Sequence, residues 1–209
     1  PSVELPQAGD PGLRLLARVG VVDPTSLEDY RTHGGYQALE ASLSMGGDQV
    51  IAEITASGLS GRGGAAFPTG VKWRGVADQE GRPRHLVCNA DESEPGTFKD
   101  RVVMEGDPFS LVEAMTVAGL AIGAEQGWLY IRGEYPVATE RLAHAIAEAA
   151  ALQSQSTREA DVLDALQKRI EPLMPLRGQN DTGRSGGGAS REAVQLNPDL
   201  KLVPWRRAA

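Results

Sequence analysis

Fifty residues, from Gly58 to Asp107, constrain this chain more than any other part of it. They open on a glycine-dense loop, Gly58-Leu-Ser-Gly-Arg-Gly-Gly-Ala-Ala-Phe-Pro-Thr-Gly-Val-Lys72-Trp73. A short apolar run follows, His85-Leu-Val-Cys-Asn89, and it empties into an acidic loop, Asn89-Ala-Asp-Glu-Ser-Glu-Pro-Gly-Thr-Phe-Lys99-Asp-Arg101. Glycine lets a backbone approach a ligand closely and turn its N–H groups toward it. A strand that opens at its carboxyl end into polar residues is the usual geometry of a cofactor site in an α/β fold. The stretch therefore reads as a nucleotide and flavin site.

The flanking segments carry the punctuation of short helices and strands. Ser26 with Asp29 three residues on resembles a capping box, so a helix is expected there and Gly34-Gly35 ends it. Tyr36 to Leu43 reads as a second helix with Tyr36, Leu39 and Leu43 on one face. Gly46-Gly47 interrupts, and a third helix runs to Ala56 with Gly58 as its natural cap. Asp78 to Pro83 predicts a polar turn and Arg84 to Cys88 a strand. Asp107 then stands as N-cap with Pro108 at the first helical position. The helix it opens, to Gly123, is apolar on most sides and belongs buried against a sheet. Gly127 to Arg132 is a second strand, and Pro136 opens a helix through Ala150. Strand, helix, strand, helix is the order of a parallel α/β unit.

Charge marks a boundary. Residues 1–150 hold 12 basic and 21 acidic side chains, a balance of −9, whereas residues 151–209 hold 9 and 7, a balance of +2. The expected organisation is an extended N-terminal segment over 1–25, an α/β domain over 26–150 and a divergent tail over 151–209. In that tail Val162, Leu163, Leu166 and Ile170 sit at helical spacing within an amphipathic helix over 156–171, followed by a Gly/Ser-rich linker. The net charge of −7 argues against non-specific nucleic-acid binding. No apolar run is long enough to cross a bilayer, and no basic-then-apolar leader is visible. One cysteine excludes an internal disulfide and points to a reducing compartment.

Taken singly, the motifs stay open. Gly61-x-Gly63-x-x-Ala66 nominally fits the dinucleotide fingerprint, but a helical pattern precedes it where a strand should. Composition alone allows a plain glycine-rich turn. Density favours a site: Gly58, Gly61, Gly63, Gly64 and Gly70, with Phe67 and Lys72 nearby. An aromatic stacks on a planar ring, and a lysine neutralises a phosphate or a reduced flavin; Arg62 and Lys72 also read as solvated charges. Asp91, Glu92 and Glu94 repel one another unless something neutralises or uses them. They suit ribose hydroxyls, flavin N–H groups or a nicotinamide; a magnesium ion, pairing with Lys99 and Arg101, or a solvated face are the alternatives. Cys88 reads as a core residue. Arg132-Gly133-Glu134-Tyr135 either lines the same crevice or turns the chain.

Read together, Gly61-Arg-Gly-Gly-Ala-Ala-Phe-Pro-Thr-Gly-Val-Lys-Trp73, Cys88-Asn-Ala-Asp-Glu-Ser-Glu-Pro-Gly-Thr-Phe-Lys-Asp-Arg101, Met104-Glu-Gly-Asp-Pro108 and Tyr130-Ile-Arg-Gly-Glu-Tyr-Pro136 strongly resemble one family. It is the flavin-binding, NADH-oxidising subunit of respiratory complex I, with relatives in NAD-linked hydrogenases and formate dehydrogenases. The likeness covers about residues 20 to 150. It implies an α/β fold with a Rossmann-like FMN-binding domain, preceded by short helices and followed by a divergent helical or disordered tail. It implies FMN contacts at Gly61, Gly63, Gly64, Lys72, Asn89, Asp91 and Glu92, and NADH contacts at Phe67, Glu92 and Glu94. Arg62, Ala65 and Gly70 complete the expected cofactor-binding set. Where Ala66 stands the family motif usually has glycine, and Arg74-Gly75 stands where an aromatic is common.

The activity so implied is NADH oxidation by hydride transfer to FMN, the electron-entry step of a complex I peripheral arm. NADH and neighbouring iron–sulfur subunits are the expected partners, at the inner face of a membrane without insertion into it. The family's second FMN segment and its four cluster cysteines are not visible, so no iron–sulfur cluster is expected on this chain. Two other readings remain: a truncated, non-catalytic remnant, and a nucleotide-binding module without redox chemistry.

Overall fold

The computed structural model describes residues 10–62 and 64–151, and the tail helix and linker expected beyond Ala151 lie outside them. The elements run α1 Leu27–Thr32, α2 Gln37–Met45, α3 Gly47–Ala56, α4 Thr69–Ala77, β1 His85–Ala90, α5 Lys99–Gly106, α6 Pro108–Ile122, β2 Gln126–Ile131 and α7 Pro136–Ala151. Residues 10–26 form a succession of turns before α1. Half of the expected capping box is made: the Asp29 amide donates to Ser26 Oγ at 3.1 Å, while the Asp29 carboxylate accepts from the Asp23 amide at 2.7 Å instead of from Ser26. Gly58 follows the end of α3 with φ +68°, a left-handed turn that costs glycine nothing.

β1 and β2 pair in parallel, from His85 opposite Gln126 to Ala90 opposite Ile131. The expected β–helix–β crossover is thus present, carried by α5 and α6. Alternation then sorts the side chains. Leu86, Cys88 and Ala90 share one face with Gly127, Leu129 and Ile131, and Cys88, Ala90, Leu129 and Ile131 join the main core. There they meet Phe109 and Val112 of α6 and Ala138, Leu142, Ala145 and Ile146 of α7. Burial pushes the Cys88 thiol up to about 11, which leaves it protonated and inert at neutral pH. A smaller cluster of Val50, Ile51 and Ala121, with Trp73 and Ala77 against it, seats α3 and α4 on α6.

Two helices lie where the sequence reading placed loop. α4 begins inside the glycine stretch, at Thr69, and α5 begins inside the acidic one, at Lys99. The Asp107–Pro108 start of α6 is where it was expected, but the carboxylate does not cap. Its Oδ2 accepts from Arg18 Nε at 2.8 Å, and Oδ1 has no partner among the described residues. Burial raises the Asp107 pKa above the ordinary carboxylate value, with Arg18 opposing.

Candidate functional site

The carboxyl ends of β1 and β2 lie side by side, Asn89 opposite Tyr130 and Ala90 opposite Ile131. Both chains therefore leave the sheet at one edge, and the loops that follow are bound together there. Glu92 is the knot. It is 5% exposed, and its Oε1 and Oε2 accept from the amides of Asp100 at 2.9 Å and Arg101 at 3.1 Å. These are N–H groups of the first turn of α5, which helical geometry leaves without partners. The residue at the cap position, Phe98, has no side-chain oxygen to offer. Glu92 caps α5 from seven residues upstream of its start, and a carboxylate there also meets the positive end of the helix dipole.

The loop after β2 grips the same residue. Arg132 donates to the Glu92 carbonyl at 2.6 Å, and Tyr135 Oη lies 3.3 Å from that carbonyl and from Oε2. Burial and the nearby Glu92 carboxylate push the Tyr135 phenol up. The guanidiniums of Arg101 and Arg132 each lie 5.4 Å from the centre of the Tyr135 ring. So Arg132 and Tyr135 both turn the chain and line the acidic loop. Arg101, read from sequence as one possible partner of the acidic residues, pairs with Glu105 at 2.8 Å, and that i,i+4 spacing was the available sign of α5.

The other acidic residues of the loop are not locked away. Asp91 is half-buried, its Oδ1 accepting from Ser93 Oγ at 2.9 Å and its amide donating to Asn89 Oδ1 at 3.1 Å. Asn89 and Glu94 are exposed.

The glycine loop is a separate excursion. Its two ends are pinned by Gly61 N–H donating to the Phe67 carbonyl at 2.9 Å and Thr69 N–H to the Leu59 carbonyl at 2.8 Å. The tip projects: Arg62, Gly64, Ala65 and Phe67 are all exposed, Phe67 by 51%. The amides of Gly64 and Ala65 donate no hydrogen bond among the described residues. Gly63 lies outside those residues. Ala66 sits at φ +45°, the region that glycine occupies freely, which explains why a glycine is at home there. Gly70 is buried against α3; a Cβ on it would stand 2.1 Å from Thr55 Oγ1. Lys72, two residues on, is exposed on α4 and makes no ion pair among the described residues.

Among the described residues no hydrogen bond or ion pair ties the glycine loop to the acidic loop. One cavity, of about 610 Å³, lies at the amino edge of the strands, between the starts of α3 and β1 and the end of α6. None of the expected site residues that the structure describes lines it. Its arginines are occupied: Arg82 and Arg84 donate to the Gly123 and Ile122 carbonyls at 2.8 and 2.7 Å, at the negative end of α6. The described residues hold no cluster of metal-ligating side chains, and no helix of them is long and apolar enough to cross a membrane.

A parallel β–α–β unit with a glycine loop before it and an anchored acidic loop at its carboxyl edge defines a mixed α/β module of the cofactor-site type. The chain belongs to the Nuo51 FMN-binding domain family, whose match covers residues 54–171. It is 51% identical over 136 residues to an NADH-quinone oxidoreductase subunit of Rhizobium meliloti, a match covering 65% of this chain and 32% of that protein. It is 49% identical over 138 residues to the NADP-reducing hydrogenase subunit HndC of Solidesulfovibrio fructosivorans, covering 66% and 28%. A crystal structure of an NAD+-reducing [NiFe]-hydrogenase in the H2-reduced state aligns with a TM-score of 0.54 at 39% identity, over 61% of this chain and 23% of that one. The chain thus matches about a third or less of the length of these relatives.

Proposed function

We infer that this chain holds FMN beside NADH and belongs to the electron-entry step of an NADH:quinone oxidoreductase peripheral arm. The observation that carries this is the acidic loop fixed at the carboxyl edge of the sheet, where α/β folds place their ligands. Its exposed Asn89 and Glu94 and half-buried Asp91 are held in place through buried Glu92. Membership of an FMN-binding family supports the choice of ligand.

The residues present fit the group. The glycine tip offers amides at Gly64 and Ala65 that donate to nothing among the described residues, an exposed aromatic at Phe67, and cations at Arg62 and Lys72 that make no ion pair among those residues. In this reading Gly61, Gly63, Gly64, Ala65 and Gly70 bring the backbone close to FMN. Arg62 and Lys72 balance its phosphate or its reduced ring, and Asn89 and Asp91 take its polar edge. Phe67 stacks on the nicotinamide cofactor and Glu94 accepts from its hydroxyls. Glu92 serves both through the α5 cap that sets the loop. FMN, when bound, supplies a two-electron acceptor for hydride, so no side chain need act as acid or base; the protein positions and tunes.

The same reading makes residues 26–150 a Rossmann-like cofactor domain, 1–25 its leading segment and 151–209 a divergent tail. With one cysteine, the chain would pass electrons to separate iron–sulfur subunits of a peripheral arm. The test is direct. The chain is incubated with FMN, desalted, and its visible spectrum recorded before and after NADH. Retained flavin absorption that bleaches with NADH is the expected result. Protein that binds NADH but no flavin would be a nucleotide module, and protein that binds neither would be a remnant; either overturns the inference.

A further inference from the structure

The acidic loop has a single point of attachment to the rest of the molecule. Residues 91–97 make several short-range bonds, such as Thr97 N–H to the Glu94 carbonyl at 3.1 Å and Ser93 Oγ to Asp91 Oδ1 at 2.9 Å. Among the described residues, every hydrogen bond that joins them to a residue more than three positions away is made by Glu92. Two of these reach α5 through the carboxylate, which ends a side chain of several rotatable bonds and so leaves the backbone free to shift. Arg132 instead holds the backbone itself, at the Glu92 carbonyl, with a charge-assisted bond of 2.6 Å. Its own guanidinium is braced, Nε donating to the Glu134 carboxylate at 3.1 Å. Tyr135 Oη has one proton and two acceptors within 3.3 Å, the Glu92 carbonyl and Oε2.

We propose that Arg132 and Tyr135 are positioning residues, which fix the acidic loop in its FMN-binding shape by holding the peptide group of Glu92. The proposal rests on the function inferred above. Tyr135 gives the clamp a rigid base. It is 6% exposed, belongs to the main core, and its carbonyl accepts from the Thr139 amide at 3.0 Å in the first turn of α7. The loop is thus referenced to the core as well as to α5. The peptide held in this way lies one residue from Asp91 and two from Glu94, the carboxylates left accessible. A shift of the Glu92 carbonyl would carry both with it, and a ligand's polar edge tolerates little misplacement of its partners. The clamp sits at the buried side of the loop, where a bond made in low dielectric is strengthened and a lost one is costly. Removing the Tyr135 hydroxyl alone is informative, because the ring contacts with Arg101 and Arg132, each at 5.4 Å, do not need it.

Two measurements on the full chain, both well below its melting temperature, test the clamp. The first needs no cofactor. Amide hydrogen exchange is followed at Asp100 and Arg101, which Glu92 caps, and at Tyr36 and Leu39, which Glu113 caps. Arg132→Ala is expected to speed exchange at the first pair about tenfold and Tyr135→Phe several-fold, with the second pair unchanged. The second measurement is FMN affinity, read from the quenching of flavin fluorescence on binding. The dissociation constant should rise about tenfold in Arg132→Ala and several-fold in Tyr135→Phe. Where Arg132→Ala does not fold, Tyr135→Phe, which keeps the buried ring, decides. Unchanged exchange at Asp100 and Arg101 overturns the proposal. Faster exchange at all four amides overturns it too, because that is general loosening. So does local loosening with FMN affinity intact. An unaltered chain that takes up no FMN defeats the function reading instead, and the exchange comparison then decides the clamp by itself.

Discussion

Two buried glutamates do the same local work in different parts of the molecule. Glu113, 7% exposed on α6, accepts from the amides of Tyr36 at 2.8 Å and Leu39 at 3.0 Å, at the start of α2, and from Tyr30 Oη at 2.5 Å. Glu92 accepts from two amides at the start of α5. In each case the residue at the cap position is aromatic, Tyr36 or Phe98, and the missing oxygen comes from elsewhere in the chain. The surroundings differ. Glu113 is enclosed by Tyr30 and Tyr36, whose phenols burial pushes far up, so it ties helix to helix in the core. Glu92 sits under a loop whose other polar groups remain available. One cap builds the core, and the other holds a surface in a fixed shape.

The comparison can be broken most easily at Glu113. Glu113→Ala leaves two buried amides and the Tyr30 hydroxyl without an acceptor, an expected loss of about 3–5 kcal/mol. That is a large part of a domain's total stability. Chemical denaturation should show it directly; a loss under about 1 kcal/mol would mean water replaces the carboxylate. Glu92→Ala should lose less, about 2–3 kcal/mol, because the neighbouring loop is open to solvent. Its signature is a second effect: FMN affinity falls at least about tenfold, close to 1.4 kcal/mol, while a Glu113 variant measured below its melting point binds FMN normally. If both variants weaken FMN equally, the division of labour is wrong.

Asp107 sharpens the contrast, since it stands at a helix start without capping it. Its pKa is raised in the folded chain, so folding favours the protonated form. Its contribution is fully present below the ordinary value of 3.8 and is lost as pH rises through the higher folded value. Asp107→Asn should flatten that decline, seen as a difference of about 1 kcal/mol or less between the two stability profiles across the window. The smallest effect is expected in the glycine tip, which no carboxylate anchors among the described residues. Ala66→Gly removes the strain of φ +45° but loosens the unfolded chain, so the net gain is between zero and about 1 kcal/mol. A thermal melt that drops by several degrees would show that Ala66 makes a contact the loop depends on.

These caps also explain what could be read from the chain and what could not. α1 announced itself because Ser26 and Asp29 are three residues apart. Both strands and α6 were legible from β-rich runs, Pro108 and an apolar length that needs burial. α5 was hidden because its cap is Glu92, outside any local window, and its first residues read as a charge run. α4 was hidden because Gly70 and Gly75 are poor helix formers and Pro68 offers no capping bond. Packing of Trp73 and Ala77 against Val50, Ile51 and Ala121 overrides that weakness. At the candidate site the residue types were legible, whereas the anchoring of Glu92 by Arg132 and Tyr135 is a contact across some forty residues.

The close seat of Gly70 on Thr55 sets the frame from which the glycine loop rises. With no room for a methyl group between them, α3 and α4 pack in close contact, and the backbone that carries Lys72 rests on that contact. The arch over residues 62–66 rises from the pin between Gly61 and Phe67. An arriving ring system would therefore meet an exposed arch standing on a close-packed frame.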